Sequence, residues 1–165
     1  MFNSFQEIYL GFLSAGDSEA MVREIGLWKN IIWEENAARR VFEFCGGHPL
    51  MTRYFASYAC QKGHLKLISE GRVLNTAMEL EKTLRKNEIG NYYREAIGNL
   101  LLPEEQRLLN LIREESEKGY AETDLSDAEQ ETLSNLENFG LVENLNGRLR
   151  VTARFFRVWL ERRGG

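Results

Sequence analysis

The residues whose types and spacing could do chemistry lie together in the stretch Gly46-Gly47-His48-Pro49. Two glycines readily end a helical pattern because they adopt positive φ, and proline fits the first turn of the next helix. Between them, the imidazole of His48 titrates near neutral pH and can donate to an anion. Arg53, one turn into the following helix, carries a planar guanidinium that suits phosphate oxygens. The spacing predicts a rigid helix start that is suited to lying against a ligand.

The same residues also have ordinary structural interpretations, which the residue types alone leave open. Gly47 and Pro49 fit a plain corner between two helices, and His48 fits a side chain that caps this turn. Arg53 equally fits a solvated arginine on the surface of a helix. The surrounding order of elements favours a role in binding for Gly47 and Pro49. It leaves both interpretations of His48 open, and a surface arginine remains the favoured interpretation of Arg53.

Two cysteines and a second histidine are the other candidates for chemistry. Cys45 and Cys60 lie in helical patterns without metal-binding spacing, which favours buried free thiols in a reducing cytosol. His64 follows a glycine and has no cysteine or carboxylate at metal spacing, so we expect it at the surface. No nucleophile with a histidine base and an acid can be argued from this set, and the sequence predicts no catalytic residue and no metal site.

Composition indicates a folded chain and limits its partners. The 165 residues are 43% hydrophobic and 11% aromatic, which is typical of a globular protein. The net charge of −4 arises in residues 91–165, which hold 10 Lys/Arg against 14 Asp/Glu. Dedicated nucleic-acid binders carry an excess of basic residues, which this chain lacks. The chain has no apolar run long enough for a membrane span and no secretory signal, so we expect a cytoplasmic protein without membrane contact.

Helical periodicity divides residues 1–90 into short amphipathic helices. Helix starts are marked by Ser or Pro, and helix ends by Gly. In order, the predicted elements are a short strand over Ile8–Leu13, a helix that Ser14 and Asp17 cap and Gly26 ends, helices over Trp33–Cys45 and Pro49–Lys62, and a helix that Ser69 caps. Together they predict a small helical bundle.

The second half has a different order of elements. Pro103 with two following glutamates predicts a helix start, and Ser126 predicts the cap of another helix. Asn146-Gly147 between two short runs, 141–145 and 148–152, is a strong hairpin signal. A last apolar helix follows. This order predicts a winged helix-turn-helix over residues 103–162.

The whole sequence therefore predicts a mainly α fold, in which a helical bundle is followed by a winged helix-turn-helix with one β-hairpin. The predicted domains are 1–90 and 91–165, with the boundary between about residues 86 and 102.

At this level the chain resembles a known group of proteins. Gly47-His48-Pro49-Leu50, with a helix on either side, is similar to the Gly-x-Pro motif of signal-transduction ATPases of the AAA+-like P-loop superfamily, the STAND group. Archaeal and bacterial members often have Gly-Gly-His-Pro. In that group the motif lies in a helical lid behind the nucleotide domain, its proline packs near adenine, and a winged helix commonly follows. Leu13-Ser14 and the final Phe155–Leu160 also match.

The resemblance implies a nucleotide site that this chain shares with a nucleotide-binding core. Gly47, His48, Pro49 and Arg53 would contact ATP or ADP held by that core, on the same or another chain. A phosphate loop needs Gly-x-x-x-x-Gly-Lys-Ser/Thr. The nearest stretch, 11–18, has Asp17 where the lysine belongs, and its carboxylate would repel a triphosphate. The resemblance therefore implies a portion of an ATPase, and hydrolysis by this chain alone is not expected.

Two other functions remain as alternatives, DNA binding and protein–protein adaptation. The helix over 127–138 would enter the major groove, but it carries four acids and no Lys or Arg, which disfavours contact with phosphates. Arg148, Arg150, Arg154 and Arg157 form a basic strip on the wing and last helix that could contact DNA or a partner, or could pair with acids within the protein. We expect first a lid and winged-helix regulatory module that couples nucleotide state to a protein partner or a following domain.

Overall fold

The computed structural model describes residues 12–61, 66–115 and 119–163. The predicted strand over Ile8–Leu13 therefore lies largely outside the described residues, and His64 lies wholly outside them. The protein is mainly α, as the sequence predicts. Its helices are α1 (Ala15–Trp28), α2 (Glu35–Cys45), α3 (Pro49–Gln61), α4 (Glu70–Lys82), α5 (Glu88–Asn99), α6 (Pro103–Glu114), α7 (Asp127–Asn138) and α8 (Arg154–Arg163). Within the described ranges, no helix combines the length and apolar character needed to cross a membrane.

The predicted helix starts follow local capping chemistry. The hydroxyl of Ser14 accepts from the backbone N–H of Asp17 at 3.1 Å, and that of Ser69 accepts from the N–H of Arg72 at 3.4 Å. At the start of α7, the carboxylate of Glu129 accepts from the backbone N–H of Ser126 at 3.0 Å. These bonds satisfy N–H groups that have no partner within the helix, which is why the signals are readable in the sequence.

A short parallel ladder in the first half was not predicted. Strand β1 (Ile32–Trp33) pairs with β2 (Leu67–Ile68), and Ile32 lies opposite Leu67. The backbone N–H of Glu34 donates to the carbonyl of Ile68 at 3.0 Å. The prediction that a helix begins at Trp33 is therefore wrong, since α2 begins at Glu35. The pairing partner lies more than thirty residues away, beyond the reach of local periodicity.

The winged helix has a three-stranded antiparallel sheet in the order β3-β5-β4. Strands β4 (Val142–Leu145) and β5 (Arg148–Val151) form the predicted hairpin around Asn146 and Gly147, both of which have positive φ. Strand β3 (Tyr120–Ala121) adds to the far edge of β5 and was not predicted. Its two residues are too few for a period-two pattern.

The two parts of the chain share one hydrophobic core. The ring of Phe155 on α8 lies 5.6 Å from that of Phe44 on α2 and 5.9 Å from that of Phe55 on α3, centroid to centroid. Tyr93 on α5 packs against Phe156 at 4.7 Å. The last helix of the winged-helix part therefore returns to the helical bundle and buries its apolar face there. The division into 1–90 and 91–165 stays a prediction.

Candidate functional site

The corner between α2 and α3 requires glycine at two successive positions. Gly46 has φ 60° and Gly47 has φ 73°, both in the left-handed region. The N–H of Gly46 donates to the carbonyl of Phe42 at 2.7 Å and so closes α2. A Cβ on Gly47 would overlap the carbonyl oxygen of Leu13. Glycine therefore supplies both the turn and the close approach of another segment.

That segment is Phe12-Leu13, which enters α1. The backbone N–H of Leu13 donates to the carbonyl of Gly47 at 2.8 Å. The ring of Phe12 lies edge-on to the imidazole of His48, with centroids 5.1 Å apart. The ring of Phe12 also lies against Gly140, where any Cβ would overlap it. Phe12 thus contacts both the α2–α3 corner and the turn between α7 and β4.

His48 lies at the junction of the helical bundle and the winged helix. Its ring is 4.6 Å from that of Tyr92 on α5, centroid to centroid, in an edge arrangement. The nearby turn at Gly140 is tied to the sheet, because the hydroxyl of Thr152 donates to the carbonyl of Gly140 at 2.6 Å. The space left around the imidazole is about 10 Å³, room for roughly one water and for no larger ligand. In this arrangement Phe12 packs edge-on against His48, and both side chains remain partly exposed.

The surroundings of the His48 imidazole disfavour its charged form. Its Nδ1 atom is buried and has no hydrogen-bond partner among the described residues. Burial lowers the pKa of His48 below its ordinary value of 6.5, since the charged form loses solvation. Tyr92 has its pKa raised for the same reason, so it stays neutral beside His48. His48 is therefore neutral in the folded protein at neutral pH.

This shift predicts that stability falls as pH decreases from about 7 through the lowered pKa of His48. In that window the unfolded chain binds a proton that the folded chain does not, so folding is disfavoured by acidification. The His48→Gln variant should show a flatter dependence of the free energy of unfolding on pH between about 7 and 5, measured by urea denaturation. The matched control is His64→Gln, which should keep the slope of the parent because the sequence predicts a surface position for His64. An equal slope in the parent and His48→Gln would contradict the assignment.

Pro49, Leu50 and Arg53 lie on the open side of the corner. Pro49 and Arg53 are exposed, and Leu50 is 56% exposed despite being apolar. Next to Leu50 is an apolar cavity of about 260 Å³ between α3 and α5. Its lining residues are Leu50, Met51, Tyr54, Glu88, Ile89 and Tyr92. The structure thus places Gly47 and His48 at the junction, whereas Pro49 and Arg53 are exposed and are not among the lining residues of this cavity.

Two of the predicted basic-strip arginines make contacts within the protein. The Nε of Arg154 lies 2.8 Å from a carboxylate oxygen of Glu81 on α4, and its guanidinium lies 5.3 Å from the ring centroid of Phe44. Arg154 therefore belongs to the junction between α8 and the helical bundle. Arg148 donates to the carbonyl of Gly119 at 3.2 Å, which ties β5 to the approach to β3.

The other two arginines lie near one carboxylate of the hairpin. Arg150 is opposite Glu143 in the β4–β5 register. Partial burial raises the pKa of Glu143, and the charges of Arg150 and Arg157 oppose that shift. The Nε of Arg150 is buried and has no hydrogen-bond partner among the described residues. The exposed acids of α7, by contrast, have no basic residue on their own helix, so this helix repels phosphate.

Three residues of the junction were not singled out by sequence reasoning as part of a site. Phe12 falls within the predicted strand over Ile8–Leu13, and neither Tyr92 nor Gly140 has a residue type or spacing that marks a site. Their contact with His48 depends on bringing together segments from both ends of the chain. Within the described ranges, no group of three or more His, Cys, Asp or Glu residues is arranged to hold a metal ion.

No family model matches the chain, and no curated protein matches it significantly.

Proposed function

We propose that this chain is the lid and winged-helix portion of a P-loop signal-transduction ATPase, which couples nucleotide state to a protein partner or a following domain. The observation that carries the proposal is the position of the Gly47-His48-Pro49 corner. It touches the segment entering α1 through Leu13, α5 through Tyr92, and, by way of Phe12, the winged helix at Gly140. A corner that only connects two helices would not require contacts with the segment before α1, with α5 and with the winged helix.

The exposed face of the corner suits one side of a nucleotide site. Pro49 and Leu50 present apolar surface beside the 260 Å³ cavity, which would lie against an adenine base held by a nucleotide-binding core. Arg53, on the same turn of α3, would reach phosphate oxygens. ATP or ADP is expected to bind only together with that core, and this chain supplies no phosphate loop.

The coupling follows from the contact between Phe12 and His48. A phosphate that enters the pocket lined by both side chains must displace the ring of Phe12, because the remaining space of about 10 Å³ holds no ligand. The same movement removes the ring from Gly140 and so loosens the contact with the winged helix. Nucleotide would favour the state in which His48 and Pro49 contact it, and the winged helix would respond through the shift in population.

DNA binding and protein–protein adaptation remain the alternative functions. The acidic α7 and the pairing of Arg154 with Glu81 argue against contact with a DNA backbone. A protein–protein adaptor does not require a half-buried histidine whose Nδ1 atom lacks a hydrogen-bond partner among the described residues. These observations favour the ATPase proposal over both alternatives.

The direct test is the natural coding sequence upstream of Met1. A phosphate loop and an acidic strand end for Mg²⁺, in the same reading frame or in a neighbouring gene whose product binds this chain, would support the proposal. An unrelated domain or a stop codon, with no such partner, would contradict it. The corner would then be a structural turn.

If the core is found, Pro49→Ala is expected to weaken nucleotide binding about tenfold, because the pyrrolidine ring would lose its apolar contact with the base. The dissociation constant for ADP, measured by isothermal titration calorimetry on the complete ATPase, checks this. Pro103→Ala is the matched control, since Pro103 is also exposed and also opens a helix. Equal affinities for the two variants would count against a role of Pro49 at the base.

A further inference from the structure

An exposed apolar surface lies at the end of α1 that is remote from the corner. Leu27 and Trp28 end this helix and are 67% and 68% exposed, and Ile32 and Leu67 are 65% and 49% exposed. Ile32 and Leu67 are register partners in the β1–β2 ladder, so they share one face. A tight turn, in which the N–H of Ile31 donates to the carbonyl of Gly26 at 2.9 Å, brings β1 back beside the end of α1. We call these four side chains the tip patch.

The tip patch has the size of an interface centre. Its side chains expose together on the order of 500 Å² of apolar surface, taking roughly 250 Å² for the tryptophan when fully exposed and roughly 170 Å² for each aliphatic residue, near the lower end of the aromatic range. The largest patch on a typical monomer is roughly 300–600 Å² and often functional, and a standard interface buries about 800 Å² on each partner. With its rim, the tip patch can therefore form one half of a stable interface. A tryptophan within such a patch is typical of the residues that dominate binding energy.

The tip patch does not compete with the proposed nucleotide face. Helix α1 has 14 residues and is therefore about 20 Å long. Its first residues adjoin Leu13 and Gly47, and its last residues form the tip patch. Both surfaces can be occupied at the same time by different molecules.

The charges around the tip patch are of both signs. Glu24 lies one turn before Trp28 on α1 and is exposed. Lys29 follows Trp28 directly, and Lys66 precedes Leu67, with its carbonyl bonded to the N–H of Ile32 at 2.9 Å. A two-fold axis that passes between Glu24 and the two lysines would place the acid of one copy near the lysines of the other, since an isologous interface pairs the same surface with itself. A partner rimmed by charges of one sign would match only part of this rim.

We propose that the tip patch is a two-fold interface through which two copies of this chain associate. The four apolar side chains form its centre, and Glu24 faces Lys29 and Lys66 of the second copy across the rim. This inference is independent of the proposed ATPase function, because it uses none of the residues of the corner.

Sedimentation equilibrium of the purified full chain, over about 1–100 µM, tests the proposal. We expect a reversible monomer–dimer equilibrium in this range. Trp28→Glu should raise the dissociation constant about 30-fold, because it removes the central aromatic residue and buries a charge. Leu100→Glu is the matched control, since Leu100 is 65% exposed but lies outside the patch, and it should leave association unchanged. Thermal melts of both variants check that the monomer fold is kept.

A charge exchange distinguishes a two-fold interface from other modes of association. Glu24→Lys alone should weaken association, and combining it with Lys29→Glu and Lys66→Glu should restore it, because both signs are then exchanged on both copies. A strictly monomeric chain at all concentrations would overturn the proposal. So would a dimer that Trp28→Glu leaves intact, or a triple variant that remains as weak as Glu24→Lys.

Discussion

Replacing Gly90 by alanine is expected to lower the free energy of unfolding by about 3 kcal/mol, or the melting temperature by roughly 6–12 °C for a chain of this size. Gly90 is the third residue of α5, and its N–H donates to the side-chain oxygen of Asn87 at 3.0 Å. A Cβ at this position would overlap the carbonyl oxygen of Leu84. Backbone faces backbone here, so no change of rotamer can relieve the overlap. The start of α5 would have to move away from the end of the preceding turn.

Gly71→Ala is the matched control for Gly90→Ala. Gly71 is the second residue of α4, and the nearest atom to a Cβ there is the hydroxyl oxygen of Ser69 at 4.0 Å. Alanine has the higher helix propensity, so this variant should be as stable as the parent or up to about 1 kcal/mol more stable. Urea denaturation followed by far-UV circular dichroism measures both. Similar stability of the two variants would contradict a close approach of the Leu84 carbonyl to Gly90.

Replacing Phe155 by alanine is expected to lower the free energy of unfolding by about 4 kcal/mol, because it leaves a cavity in the shared core. Phe155 is fully buried, and its ring packs on both Phe44 and Phe55. These contacts join α8 to α2 and α3. The substitution therefore removes packing between the winged helix and the helical bundle. Since small proteins have only about 5–15 kcal/mol of total stability, the effect should be plain in urea denaturation.

The same chemical change at an exposed position provides the control for Phe155. Phe139 is the C-terminal cap of α7 and is 45% exposed, so Phe139→Ala should lower the free energy of unfolding by about 1 kcal/mol. If Phe155→Ala destabilised the protein no more than Phe139→Ala, the packing of α8 on the bundle would contribute little. The two parts of the chain would then be held together by other contacts.

The proposed coupling places a small number of side chains between the nucleotide face and the winged helix. Phe12 contacts both His48 and Gly140, and Arg154 pairs with Glu81 across the same junction. Because a packed junction has few alternative arrangements, moving one ring changes contacts on both sides. In the proposed coupling, a change at the turn between α2 and α3 would therefore alter the contacts of the winged helix, although the two are far apart in the sequence.

Much of the fold was determined by the sequence acting locally. Ser14, Ser69 and Ser126 cap helices through bonds to residues three positions away, and Gly46 ends α2 with a left-handed conformation. The hairpin follows from Asn146-Gly147. Such signals act within a few residues and can be read without knowledge of the tertiary structure. For the same reason the sequence located the corner at Gly47-His48-Pro49.

Only the tertiary structure decided what meets at that corner and what remains exposed. Phe12, Tyr92 and Gly140 reach His48 from three distant parts of the chain, and β1 pairs with a strand beyond two intervening helices. No residue type or spacing near His48 encodes these neighbours. The packing of helices onto a shared core selects them, because burial is a property of the whole folded chain rather than of any one segment.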